Sequence, residues 1–182
     1  MVFVTVGTHE QQFNRLVKAV DELREAGSLD EEVVIQTGYS TYEPRFCEWS
    51  KLYPYQEMAK LMAEARIVVT HGGPSSFIMA LQIGKVPIVV PRQKRFGEHV
   101  NDHQVEFCRA VKERVGNIIL VEETQRLREC IENYEFIVMS HDVGQVSNNA
   151  QFIAGLESAV AELIPKEKKD DASRHNVDAE DY

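Results

Sequence analysis

Short runs of consecutive apolar residues alternate along this chain with stretches in which apolar positions recur every three or four residues. The runs are 2–6, 33–35, 67–70, 86–90 and 118–121, and most of their members are Val or Ile. Such runs, rich in β-branched side chains and bounded by turn residues, mark strands covered on both faces. Between the first two, Phe13, Leu16, Val17 and Val20 fall at i, i+3, i+4 and i+7, one face of a helix that Gly27 and Ser28 end. Thr37-Gly38 closes the second run. Residues 39–55 hold many aromatics but no period, and read as irregular. The spacing then predicts a helix over 56–65 with Met58, Leu61 and Met62 inward, and another over 75–83. Pro74 suits the first position of that helix, where its missing N–H costs nothing. A helix capped by Asn101 or Asp102 follows, then one after Thr124 carrying Leu127, Cys130 and Ile131, then a long one over 146–163.

Strands alternating with helices indicate an α/β fold: a Rossmann-like, doubly wound parallel sheet of at least five strands, with its ligand at their carboxyl ends. No internal repeat interrupts the series. A length of 182 residues, 43% of them hydrophobic, suits one domain with a sizeable core. That domain is expected over residues 1–163. Residues 164–182 are polar, almost without large apolar side chains, and are expected to be disordered or ordered by a partner.

Charge narrows the function classes. A net charge of -9 argues against general nucleic-acid binding. Lys85, Arg92, Lys94 and Arg95 nevertheless form a basic spot. It reads either as a solvated loop or as a contact for a diphosphate, a protein partner or anionic lipid. Cys47, Cys108 and Cys130 lack metal-ligand spacing, and their odd number argues against a disulfide framework, so a reducing, cytoplasmic setting is expected. No charged leader precedes an apolar core, and no apolar run approaches the ~20 residues that span a bilayer. The expectation is a protein that is soluble, or held at a membrane by a partner or a surface patch.

The candidate chemistry lies in the turns after three of the strands. His71-Gly72-Gly73-Pro74 breaks the 67–70 run and opens a helix with Ser75 and Ser76 in its first turn. Glycines permit close backbone approach, and the free N–H groups and positive end of the helix favour an anion there. Gly7-Thr8-His9-Glu10 occupies the equivalent place after the first strand. It is not G-x-G-x-x-G, so the dinucleotide fingerprint is absent, and an ordinary tight turn is the competing reading. His99 and His103 are four apart, but no Glu follows the first, and 100–102 reads as a helix start lying between them. Polar contact with sugar hydroxyls therefore explains them better than a metal, and neither a metal nor another cofactor is expected. Trp49, Tyr53 and Tyr55 suit either a nucleobase stack or the core and rim.

Three blocks carry a family likeness: Val4-Thr5-Val6-Gly7-Thr8, Val68-Val69-Thr70-His71-Gly72-Gly73 with Ser76, and Asn101-Asp102-His103-Gln104, the last within the run Phe96 to Gln104. With Gly84-Lys85-x-Pro87 between the second and third, residues 1–163 resemble the C-terminal, donor-binding half of GT-B glycosyltransferases. The likeness is to glycosyltransferase family 28 and its split members. These include the soluble subunit of the eukaryotic dolichyl-diphosphate N-acetylglucosamine transferase and, nearer, bacterial capsule and exopolysaccharide β-1,4-galactosyltransferase subunits.

The resemblance implies a single GT-B C-terminal-type domain that binds a UDP-sugar, UDP-galactose by the nearer likeness. It further implies transfer with inversion to a lipid diphosphate-linked sugar acceptor. A membrane-attached protein subunit would supply the acceptor half, keeping this chain at the inner face of the membrane. Carried over by position, Gly7 and Thr8 lie near the diphosphate, and His71, Gly72, Gly73, Ser75 and Ser76 hold diphosphate or ribose. Glu98, His99, Asn101 and Asp102 complete the donor side, where His103 and Gln104 face the sugar. Met79 stands where many relatives have a ribose-binding glutamate, and Glu98 is the candidate substitute. A general base must take the acceptor proton. His9, then Glu10, are the candidates here, and the partner is the alternative source. Two rivals are a non-catalytic enhancer of such a transferase, which would need no donor pocket, and a UDP-sugar epimerase, which carries both halves in one chain.

Overall fold

The structure, a computed structural model, describes residues 1–140. Six strands form one fully parallel sheet: β1 (Val2–Thr5), β2 (Val33–Gln36), β3 (Glu48–Ser50), β4 (Ile67–His71), β5 (Ile88–Val90) and β6 (Ile119–Leu120). Their order across the sheet is β3-β2-β1-β4-β5-β6. The central β1 places Val2 opposite Val33 on one side and Ile67 on the other. This is the doubly wound Rossmann order, with the chain reversing direction across the sheet at β1 and β4. Right-handed crossovers of such a sheet need helices between strands. Here they are α1 (Asn14–Glu25), α2 (Tyr55–Glu64), α3 (Pro74–Gln82) and α4 (His103–Val115), followed by α5 (Leu127–Glu132) and α6 (Tyr134–Ser140).

Alternation along each strand decides what covers each face. Val2, Val4 and Val69 turn toward Leu16, Val17 and Val20 of α1 and Leu127 and Ile131 of α5. Phe3 and Val68 point the other way, onto Met62 of α2 and Ala80 of α3. Val89 joins that second side with Phe77, Leu81, Cys108 and Val111. Removing each Leu- or Phe-sized side chain from water stabilises the fold by about 1.5–3 kcal/mol. Both faces of the sheet are therefore closed, and ligands are left the ends of the strands.

The segment expected to be irregular contains β3, a strand beyond the five apolar runs and one edge of the sheet. Its three residues are too few for alternation to show. What holds it is pairing with β2 (Val34 with Glu48, Gln36 with Ser50) and an anchor on α1. The buried Asp21 carboxylate accepts the Tyr42 hydroxyl at 2.8 Å and the Arg45 and Phe46 backbone N–H groups at 2.9–3.1 Å. Pro74 opens α3 as its position implies. The last long helix over 146–163 and the polar tail lie outside the described residues. The three cysteines are free. Among the described residues no helix is long and apolar enough to cross a membrane.

Candidate functional site

Three loops meet at the carboxyl ends of β1, β4 and β5. The first leaves β1 through Gly7, whose positive φ of 74° suits glycine. Thr5 supports this exit, because its hydroxyl accepts the Gly7 N–H at 3.2 Å and a Gln36 amide hydrogen at 3.1 Å. The second loop leaves β4 at His71 and passes Gly72 and Gly73 into α3, which no side chain caps. The His71 ring fills the space between the two loops. A Cβ on Gly7 would lie 2.4 Å from its Cε1, and one on Gly73 would lie 2.2 Å from its Nε2. Neither position therefore accepts a side chain while the ring stays in place. A Cβ on Gly72 would meet the Cys108 Sγ at 3.0 Å and both Gln104 and Pro91 at 3.1 Å.

Burial is the main reason the His71 imidazole is held down to about 3, and the Arg92, His9 and His99 charges add to it. The Thr5 backbone offsets only part of this effect. His71 is thus a neutral ring at physiological pH, a fixed wall beneath the glycine turns. Its place shows why both neighbours are glycine.

The third loop follows β5 and contains the largest departure from expectation. Arg92 is not a solvated basic residue but has no exposed surface at all. Its guanidinium donates to the Val6 and Gln11 carbonyls at 2.8 Å, to Gln12 at 3.0 Å and to Glu98 at 3.3 Å, and lies 4.8 Å over the Phe13 ring. Its backbone N–H donates to Gln104 Oε1 at 3.1 Å. Burial lowers its proton affinity to about 10, which leaves it charged at neutral pH, with Glu98 working the other way. Lys94 and Arg95 do match the exposed reading, and Arg95 pairs with Glu123.

Glu98 is buried too. Its carboxylate takes a two-pronged pair from Arg15 (2.9 and 3.0 Å) and the Gln93 N–H (3.0 Å). All its oxygens are thereby committed inside the protein, so it braces the site from below rather than lining it. Arg15 was not among the candidates. A pair separated by 83 positions leaves no mark in local sequence.

The exposed His9 ring sits 5.1 Å, centre to centre, from the half-buried His99. Partial burial, Arg92 and His99 lower the His9 proton affinity, against an upward pull from Glu10. His9 Nδ1 accepts the Gln11 N–H at 3.2 Å. Thr8 and Glu10 are exposed beside it. On the α3 side Ser75 is exposed and Ser76 half-buried, its N–H bonded to the Gly73 carbonyl at 3.2 Å.

At the start of α4, Asp102 is the N-cap residue but its side chain makes no capping bond. The Asn101 carboxamide accepts the His103 N–H at 3.2 Å, whereas Asp102 reaches back to the Lys94 N–H at 2.9 Å. Gln104 joins the glycine turns through Gly72 and Arg92. His103 stands exposed with its Nδ1 3.5 Å from Glu106, a local contact along α4. Trp49 and Tyr53 belong to the packing, Tyr53 meeting Phe3 edge-on at 6.4 Å, while Tyr55 stays 73% exposed. Met79 is half-buried against the Phe3 cluster. No group of His, Cys, Asp or Glu suited to a metal ion occurs among the described residues.

A parallel sheet with two glycine turns and an uncapped helix start at its switch point defines a Rossmann-type module. Residues 1–135 match the glycosyltransferase family 28 C-terminal domain, and the chain belongs to that family. Its fold is also that of CalG4, the calicheamicin glycosyltransferase (17% identity over 90% of this chain and 44% of that one, TM-score 0.50). Weaker likenesses are to the glycosyltransferase SnogD from Streptomyces nogalater (16% identity, 86% and 42% covered, TM-score 0.47) and the glycotransferase of kitacinnamycin (18% identity, 89% and 39% covered, TM-score 0.48). The chain thus spans about two fifths of the length of these structures. No curated protein matches it.

Proposed function

We propose that this chain is the donor-binding subunit of an inverting glycosyltransferase. It binds a UDP-sugar, UDP-galactose by the resemblance, and passes the sugar to a lipid diphosphate-linked sugar acceptor in capsule or exopolysaccharide synthesis. The observation that carries this reading is the pair of glycine turns at Gly7 and Gly72-Gly73, with a neutral His71 ring packed between Gly7 and Gly73, in a member of family 28. Diphosphate oxygens would lie over the glycine turns and the α3 start, where backbone N–H groups and the helix dipole stabilise charge on the leaving UDP. Thr8, Ser75 and Ser76 would hydrogen-bond diphosphate or ribose, and His99, Asn101, Asp102, His103 and Gln104 would border the sugar. The reaction is displacement at the anomeric carbon. The acceptor oxygen forms the new bond as UDP leaves, and a base removes the hydroxyl proton.

His9, with Glu10 second, is proposed as that base when it comes from this chain. With Nδ1 accepting from Gln11, the neutral ring carries its proton on Nε2, so basic Nε2 requires the other tautomer. Loss of one exposed hydrogen bond, about 0.5–1.5 kcal/mol, is the cost of that change.

The acceptor half is assigned to a membrane-attached partner covering the carboxyl ends of the strands. Tyr39, Leu52, Phe96 and Val100, all 40–67% exposed, stand on the loops after β2, β3 and β5 at that end and would be covered by it. Calorimetric titration with UDP, UDP-galactose, UDP-glucose and UDP-N-acetylglucosamine tests the donor role. Binding of one sugar nucleotide, lost in Gly73→Asp, supports it. If neither the isolated chain nor its complex with the partner binds any of them, the chain is an enhancer without a donor pocket.

A further inference from the structure

The β1–α1 loop carries His9 and Glu10 across an exposed stretch, with little apolar anchorage between Val6 and Phe13. A loop of that kind ordinarily samples many conformations. Here its two ends are tied from beneath by a single side chain, Arg92, which comes from the opposite side of the site. One guanidinium nitrogen serves Gln11 and Gln12 at the far end of the loop, and the other serves Val6 at its start. The same residue's backbone N–H holds Gln104 of α4.

Charge makes the arrangement unusual. Glu98 is the nearest buried carboxylate, yet its oxygens are taken by Arg15 and Gln93, and it offers Arg92 only its backbone carbonyl. Three buried or half-buried charges, Arg15, Glu98 and Arg92, thus leave one net positive charge under the site. The Arg92 guanidinium hydrogen-bonds only to carbonyls, with the Phe13 face and the Glu98 charge nearby, and a buried charge without a directly paired carboxylate is a costly stability device. What its hydrogen bonds do hold is the β1–α1 loop.

We propose that Arg92 is the positioning residue of this site: its guanidinium fixes the turn 6–12 so that His9 lies against His99 beside the glycine cradle. Its charge has a second consequence. Burial lowers the His9 proton affinity most, Arg92 and His99 from the β5 loop lower it further, Glu10 on its own loop opposes them, and the His71 ring of β4 beside them is neutral. The net direction favours neutral His9, the state in which it can accept a proton. The role in catalysis rests on the transferase reading above; the mechanical and electrostatic role does not.

The test is made on the full chain, without donor or partner. Histidine-labelled protein gives the His9 titration midpoint by NMR, and hydrogen exchange reports on amides 6–12. In Arg92→Gln the exchange of that turn is expected to speed by roughly two- to tenfold, the equivalent of one lost hydrogen bond. The His9 midpoint is expected to rise toward the ordinary 6.5. Arg92→Lys keeps a charge but cannot span both ends of the loop, so exchange should rise while the midpoint moves less. Arg15→Gln is the control, since it breaks the Glu98 pair and lowers stability without freeing Val6, Gln11 or Gln12. Unchanged loop exchange in folded Arg92→Lys, or an equal response in Arg15→Gln, would overturn the proposal. If Arg92→Gln does not fold, the other two variants still decide. Failure to bind any sugar nucleotide would sink the transferase reading and leave these results standing.

Discussion

His71 illustrates how one side chain constrains several others. Its ring occupies the volume that side chains at positions 7 and 73 would need, so Gly7→Ala must both displace the ring and adopt a positive φ. A non-glycine residue in that region costs roughly 1–3 kcal/mol before any clash is counted. Gly7→Ala should therefore lower stability by at least that amount in urea denaturation, and weaken UDP binding more than tenfold. Gly73→Ala has ordinary φ and should lose through the clash alone. The His71 environment also sets a pH dependence. Its folded-state affinity, about 3, lies below the ordinary 6.5, so the unfolded chain binds the proton first as pH falls. Stability is thus fully present above pH 6.5 and declines between about 6.5 and 3, by up to about 1.4 kcal/mol per unit. Denaturation midpoints measured from pH 8 to pH 4 should show the fall, and His71→Gln should flatten it if the variant folds.

At the scale of elements, what was legible in the sequence depended on length and on period. The runs 2–6 and 67–70 became β1 and β4 almost residue for residue, because continuous apolar stretches buried on both faces have few alternative fates. β3 was missed since it owes its place to Asp21 and to β2, neither of which is local to it. Asp21→Ala should test that account. With its carboxylate gone, the Arg45 and Phe46 N–H groups and the Tyr42 hydroxyl lose their acceptor, at about 0.5–1.5 kcal/mol for each hydrogen bond, since these residues are exposed or half-buried. Hydrogen exchange should rise through 39–50 while β1 and β4 remain protected. The hydrogen bonds from Arg45, Phe46 and Tyr42 hold Asp21 below its ordinary 3.8 despite burial, so this contribution is present at neutral pH and disappears only as pH falls below that value. The site followed the same rule. Its glycine turns and the His99–Gln104 block were readable as motifs, whereas Arg92 looked like one more basic residue of a loop. Only the meeting of 6–12 with 91–104 shows that it is buried.

At the scale of the whole molecule, the described residues leave the carboxyl end of the sheet uncovered, and that end carries both the glycine turns and a rim of exposed apolar side chains. A second half docked there would cover them. If the proposed membrane-attached partner docks there, Leu52→Asp and Val100→Asp should each weaken that association at least tenfold, as measured by co-purification or surface binding, while leaving the fold intact. Their exposure predicts little change in stability, since surface substitutions are usually within about 0.5 kcal/mol.

We propose that the donor diphosphate lies over the turns after β1 and β4, and titration of UDP-galactose into glycine-labelled protein reads this from the amide signals. Gly7, Gly72 and Gly73 should shift together and saturably, while Gly27 and Gly84, in turns remote from the site, stay in place. Saturable shifts confined to Gly27, Gly84 or the Gly38 turn, with Gly7, Gly72 and Gly73 unmoved, would contradict it.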